Sequence, residues 1–191
     1  MAHDDQLRAA LAESAGGFAA VVSRLDTADL ARPSPCDGWT VRDVIDHVVA
    51  GERFTAGLMS GRPFAEVVDG LRGLDDEDPD LVGQLEQASA QALASLDGPL
   101  DRWIDHRVGR ITGRRNLGFR IIDLLGHTWD VAIGVGAEPV LDPTALAIGV
   151  ELARRELPTL QASENFATGD GDLPEHGADL DVLLAAIGRR V

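Results

Sequence analysis

Asp123 and His127 stand four residues apart in "RIIDLLGHTWDVA". On an α-helix such a pair projects from one face about a turn apart, as two ligands to one ion must. Their neighbours Ile121, Ile122, Leu124, Leu125, Val131 and Ile133 are apolar, so a carboxylate and an imidazole there are poorly solvated and each needs a partner. A divalent cation would satisfy both. His47, in the apolar stretch "VRDVIDHVVAG", supplies a third ligand. Two histidines with a carboxylate and an open position form a common catalytic arrangement for zinc and other divalent metals. Spacing alone leaves a second reading open, in which Asp123 and His127 are a hydrogen-bonded pair and His47 is a core histidine. Asp130, three residues after His127, lies near the same face and could accept from an imidazole; its alternative is a surface acid.

Other residues carry weaker signals. Cys36 sits just before a helix N-terminus, where the dipole can lower a thiol pKa, yet a packed cysteine in the loop is the expectation. His106 and Arg107 could reach an anionic substrate, with exposed polar residues as the expected alternative. Arg114, Arg115 and Arg120 form a basic cluster that could receive a carboxylate or pair with acids. Trp39 and Trp129 are expected as core anchors rather than stacking platforms. His3 and His176 lie in terminal or loop contexts and carry no role.

The elements that must position these residues are mostly helical. From Asp4 to Leu25 the residues Leu7, Leu11, Phe18, Val21, Val22 and Leu25 recur at spacings of one amphipathic helix. "RPSPCDGWT" then breaks the pattern. Thr40 reads as an N-cap with Asp43 three residues on, starting a second helix over about 41–60. The acidic stretch "GLRGLDDEDPD" predicts a loop before a third helix over about 81–96. Between Gly98 and Gly113 the segment carries β-branched residues without clean alternation and suggests a short extended crossover. A fourth helix over about 116–135 is apolar on nearly all sides, and a fifth over about 142–156 is introduced by Asp142 and Pro143. A short last helix is expected over about 179–187. The fold class is therefore all-α: an up-down four-helix bundle with a long crossover and additional C-terminal helices, in which the second and fourth helices are neighbours.

Composition bounds the function. The 191 residues, 45% hydrophobic and 26% charged, suit one domain over 1–191. Cys36 is the only cysteine, which excludes an intramolecular disulfide and cysteine-based zinc motifs. A net charge of −15 argues against nucleic acid and anionic membrane surfaces. No apolar run is long enough to span a membrane and no leader is visible, so a cytoplasmic protein is expected. All 17 basic residues are arginine, a bias of the kind seen in GC-rich actinobacterial coding.

The segments "PCDGWTVRDVIDHVVAG" and "RIIDLLGHTWDVA" resemble the signature stretches of the DinB-like metal-binding superfamily, in its mycothiol-dependent maleylpyruvate isomerase N-terminal branch. The tail "DLDVLLAAIGRRV" resembles the end of one actinobacterial subgroup. The resemblance implies a four-helix bundle and a divalent metal held by residues that map to His47, Asp123 and His127. Zinc is the expected ion, with nickel or iron as alternatives, and mycothiol is the implied cosubstrate. Many relatives carry glutamate where this chain has Asp123, and a shorter carboxylate draws the ion toward its own helix. The maleylpyruvate isomerases also carry a further C-terminal domain, whereas this sequence ends soon after the bundle, so that particular reaction is not the expected one.

On this resemblance the chain is an enzyme in which a metal-held thiolate attacks a small electrophile, as an S-transferase if the adduct is released and an isomerase if it collapses after bond rotation. The alternatives are a non-catalytic metal-binding or interaction domain and a metal-dependent hydrolase. The expected partners are a small-molecule substrate and a thiol, with a homodimer entertained only by analogy.

Overall fold

A computed structural model describes residues 3–72, 80–162, 173 and 177–189. In chain order the elements are α1 (Asp4–Val22), α2 (Thr27–Leu30), α3 (Val41–Met59), α4 (Phe64–Leu71), α5 (Leu81–Ala94), β1 (Trp103–His106), β2 (Gly109–Thr112), α6 (Gly113–Val135), α7 (Pro143–Gln161) and α8 (Asp179–Ala186). The fold is all-α apart from the one small hairpin.

Helices α1, α3, α5 and α6 form the bundle. Both α1 and α3 pack on α5 and α6, so the ring runs α1, α5, α3, α6, and α3 and α6, the second and fourth bundle helices in chain order, are neighbours as expected. Arg8, near the start of α1, donates to the carbonyls of Leu96 and Gly98 just beyond α5, and Asp4 pairs with Arg114 at the start of α6. Helix α1 is thus antiparallel to α5 and parallel to α6. His47 and Glu52 of α3 meet Asp123 and Arg120 of α6 in reverse order, which makes α3 antiparallel to α6. Phe18, Ile45, Leu117, Ile121 and Leu124 are fully buried in the core, each contributing about 1.5–3 kcal/mol of transfer free energy.

The capping expected at Thr40 is present: its Oγ1 accepts from the Asp43 N–H at 3.2 Å, and its own N–H donates to Asp43 Oδ2 at 2.7 Å. Asp142 caps α7 in the same manner, accepting from Ala145 at 2.8 Å. Helix α6 is buried almost all round.

Three local features differ from the sequence expectation. The segment before α6 is an antiparallel hairpin with Ile104 opposite Ile111. Only this one pair is buried while Trp103 is 61% exposed, so no alternation shows in the sequence. Helix α7 does not stop at Glu156 but runs through Pro158 to Gln161, because burial of Leu160 holds a last turn that proline propensity disfavours. Helix α4 packs Val67 onto α3 and was not anticipated. The loop expected at "GLRGLDDEDPD" falls largely outside the described residues, as does His176. No described helix is long and apolar enough to cross a membrane.

Candidate metal centre

The antiparallel approach of α3 and α6 brings His47 opposite Asp123 and His127. His47 Nε2 and His127 Nε2 each lie 3.3 Å from the same oxygen, Asp123 Oδ1, and the three potential ligand atoms all fall within 4.8 Å of one another. A tetrahedral ion with bonds of about 2.0–2.1 Å separates its ligand atoms by roughly 3.3 Å, the spacing that both histidines keep from Asp123 Oδ1. The imidazoles meet edge to face, their centroids 4.8 Å apart. The Trp39 indole, 37% exposed, lies against both, 5.2 Å from His47 and 6.3 Å from His127. It covers the site and is not the core anchor expected; Trp129, 7% exposed, is buried in that role.

Two of the three candidate ligands, His127 and Asp123, are held from behind. Asp130 is fully buried, and its Oδ2 accepts from His127 Nδ1 at 2.9 Å. It also takes both Arg189 Nε at 2.8 Å and Nη2 at 2.9 Å, while Cys36 Sγ donates to it at 3.2 Å. Burial alone would raise the Asp130 pKa, but the hydrogen bonds from His127 and Arg189 prevail and hold it below the usual carboxylate value. An ionised Asp130 only accepts, so the proton sits on His127 Nδ1, and Nε2 is the nitrogen left for an ion.

Arg120 Nη1 holds Asp123 Oδ2 at 2.5 Å and its Nε reaches buried Glu52 at 3.4 Å. Gly51 is needed here, since a Cβ would collide with the Arg120 guanidinium. For Asp123, burial again acts upward, but Arg120, then His127 and His47, drive its pKa well below normal. For His127, burial acts downward, and the Asp123 charge and its hydrogen bonds to Asp123 and Asp130 carry the pKa well above 6.5.

A cavity of about 140 Å³ opens beside His47 and Asp123, with Phe54, His106, Arg107, Asn116, Phe119, Arg120 and Thr159 in its walls. His106 was expected to be exposed; the hairpin instead folds it inward, 5.3 Å from Phe54 and 5.8 Å from Phe119. Burial, then the charges of Arg107 and Arg115, lower its pKa to about 4, so it is neutral at pH 7. The Val108 N–H donates to its Nδ1 at 3.3 Å, which places the ring proton on Nε2. Arg107 is exposed over the Phe54 ring, 4.9 Å from its centroid, and has no carboxylate partner among the described residues. Asn116 is 2% exposed, and its amide nitrogen has no hydrogen-bond partner there either.

The arginine cluster is dispersed into ion pairs: Arg114 with Asp4, Arg115 with Glu156 at 2.7 Å, and Arg120 with Asp123 and Glu52. His3 merely precedes α1, its N–H donating to Gln6 Oε1 at 2.8 Å. Glu52, Asn116 and Arg189 carry no signal in the sequence reading. Glu52 had one available, since it is five residues after His47 on a helix whose apolar face continues through it.

A family model for the mycothiol maleylpyruvate isomerase N-terminal domain matches residues 11–132, a span that contains His47, Asp123 and His127 and ends before α7. Uncharacterized proteins from two strains of Mycobacterium tuberculosis are each 29% identical to the chain over 178 residues, covering 91% of it and 92% of their own length. Among solved structures, the crystal structures of the mycothiol-dependent maleylpyruvate isomerase and of a mutant of it are similar, with TM-scores of 0.63 and 0.61 at 14% identity. Each match covers 86% of this chain and 75% of the other, a likeness of fold.

Proposed function

Since the chain belongs to the mycothiol maleylpyruvate isomerase N-terminal domain family and has its DinB-like helical bundle, we propose that it is a metal-dependent enzyme using a low-molecular-weight thiol of the mycothiol kind. Its substrate is a small electrophile, which it converts by S-transfer or isomerisation. The observation that supports this most directly is that His47 Nε2 and His127 Nε2 share Asp123 Oδ1 at 3.3 Å, at the edge of a cavity of small-molecule size.

His47 and His127 would hold a divalent ion through Nε2 and Asp123 would hold it through Oδ1, with zinc favoured and nickel or iron as alternatives. A bound ion supplies the positive charge that keeps a thiol ligand deprotonated near neutral pH. The chain's own groups do the remaining work. Arg120 occupies Asp123 Oδ2 and so fixes Oδ1 toward the ion. Asp130 holds the Nδ1 proton of His127. Trp39 keeps water from one side of the imidazoles. Phe54 and Phe119 give the electrophile apolar walls, while the Asn116 amide and the Arg107 guanidinium offer donors to its oxygen atoms.

Elemental analysis after reconstitution and dialysis tests the ligand set. About one ion per chain is expected in the wild type, lost in His47→Ala and in His127→Ala; unchanged metal content in both variants would overturn the assignment. Consumption of a reactive electrophile with and without added thiol then tests the chemistry. Thiol-dependent turnover is expected. Turnover in water alone would point to a hydrolase, and none with a loaded site to a metal-binding domain without catalysis.

A further inference from the structure

Arg189 lies beyond the residues that the family model matches, yet its side chain ends against the metal centre. Helix α8 closes in a Schellman motif: the Gly188 N–H donates to Ala185 at 3.2 Å and the Arg189 N–H to Leu184 at 2.8 Å. Gly188 takes the left-handed conformation, φ 73°, that the motif requires. Ile187 is buried against Gly126, where any Cβ would clash with it. The C-terminal segment is thereby docked on α6 one residue before His127, and the turn at Gly188 sends the guanidinium of Arg189 into the cluster of Cys36, His127 and Asp130.

There the guanidinium makes the planar fork that suits a carboxylate, with Nε on Asp130 Oδ1 at 2.8 Å and Nη2 on Oδ2 at 2.9 Å, while Nη2 also reaches Cys36 Sγ at 3.0 Å. Cys36, His127 and Asp130 by themselves form a second potential cation-binding set. Arg189 engages both oxygens of Asp130, so the carboxylate is held with Oδ2 against His127 Nδ1 and is not free to turn toward an ion. The geometry points to Arg189 as a positioning residue of the metal centre: a C-terminal latch that, through Asp130, orients His127 so that Nε2 faces the ion. The inference rests on the metal reading proposed above.

The experiment uses the full chain with Arg189→Ala and Arg189→Lys. Zinc affinity is measured by competition with a chromophoric chelator, the His127 tautomer by nitrogen-15 NMR of the ion-free protein at a pH high enough for the imidazole to have lost its second proton, and folding by thermal unfolding. Outer groups that orient a metal-bound histidine are worth about 10–100-fold in affinity, so a loss of that size is expected for Arg189→Ala, with His127 passing to a mixture of Nδ1–H and Nε2–H forms. Lysine keeps the charge without the fork and should show a smaller loss in a folded protein. A merely structural role for Arg189 would lower the melting temperature while leaving affinity and tautomer as in the wild type, and that result overturns the proposal. Full wild-type affinity and tautomer in the folded Arg189→Lys variant overturns it as well. A wild type that takes up no zinc overturns the metal reading and this inference with it, whereas a zinc-binding wild type with unaffected variants sinks the latch alone.

Discussion

The two flanks of Asp123 are built on opposite plans. Toward α8, the polar side chains of His127, Asp130, Cys36 and Arg189 are joined at 2.8–3.2 Å with Asp130 fully enclosed. Toward the hairpin, the walls of the cavity include an Asn116 amide nitrogen with no hydrogen-bond partner among the described residues and an Arg107 guanidinium that no described carboxylate meets. Folding normally leaves few buried donors unsatisfied. A flank that the fold finishes holds groups in place, and a flank that it leaves unfinished has donors to spend on something that arrives later. The comparison separates a holder from a receiver within one site.

The sharpest way to break it is at the joint. Arg120 stands between the flanks, bonded to Asp123 and to Glu52, which is 1% exposed. Burial dominates the Glu52 pKa and raises it, with Arg120 acting against that. Arg120→Leu leaves Glu52 without its counter-charge and takes from Asp123 the largest of its own, and removing one member of a buried ion pair costs about 3–5 kcal/mol. Urea unfolding of the ion-free protein should show a loss of that order. A loss under about 1 kcal/mol would mean that Arg120 is not what holds Asp123 in place.

Much of the holding flank is legible in the sequence, and little of the receiving one is. His47, Asp123 and His127 stand out because helix periodicity converts their spacing into a shared face and because an apolar setting demands partners for them. Asp130 follows from the same periodicity. Arg189 escapes because its role depends on where α8 docks, which Gly126 and Ile187 decide through a tertiary contact. His106 reads as an exposed residue of an extended crossover because four-residue strands with one buried pair leave no alternation to detect. Asn116 was placed at the expected start of the fourth helix, but the helix begins at Gly113 under a Thr112 cap, which turns Asn116 inward. Trp39 was misassigned because an aromatic beside a helix start looks the same whether it anchors a core or covers a site.

On the holding flank, pH should separate metal affinity from stability. The His127 pKa lies well above 6.5 in the ion-free protein because its bonds and charges from Asp123 and Asp130 outweigh burial. An ion must displace the Nε2 proton, so below the folded pKa each unit of acidification weakens the apparent zinc affinity about tenfold for one proton released. Stability of the ion-free protein runs the other way. A raised histidine pKa contributes stabilisation that is complete below 6.5 and is lost as pH rises through the folded value. Zinc isotherms and melts across about pH 5.5–8 test the pair of slopes. A pH-independent affinity would mean that His127 Nε2 is already free of its proton.

The receiving flank predicts the opposite sign for Asn116. A buried amide donor without a partner carries a desolvation penalty, and asparagine is a poorer helix former than alanine. Asn116→Ala should therefore leave the ion-free protein as stable or up to about 1 kcal/mol more stable, with metal content unchanged, while turnover of the small substrate falls about tenfold. Destabilisation by more than that amount would show that Asn116 belongs to the finished flank, and the comparison would lose one of its two supports.

Arg107 gives the smallest effect and the cleanest separation. Its guanidinium stacks 4.9 Å above the Phe54 ring at the cavity mouth and is exposed. An exposed cation–π contact is worth about 0.5–1 kcal/mol at most, so Arg107→Gln should change the melting temperature little and should leave zinc affinity untouched. If the guanidinium waits for an anionic group, KM for a carboxylate-bearing electrophile rises severalfold while KM for a neutral electrophile of the same shape does not. The difference shrinks with added salt, since the charge sits where solvent screens it. Equal changes for the charged and neutral substrates would make Arg107 a wall of the cavity rather than a receiver of charge, and the receiving role would then rest on Asn116.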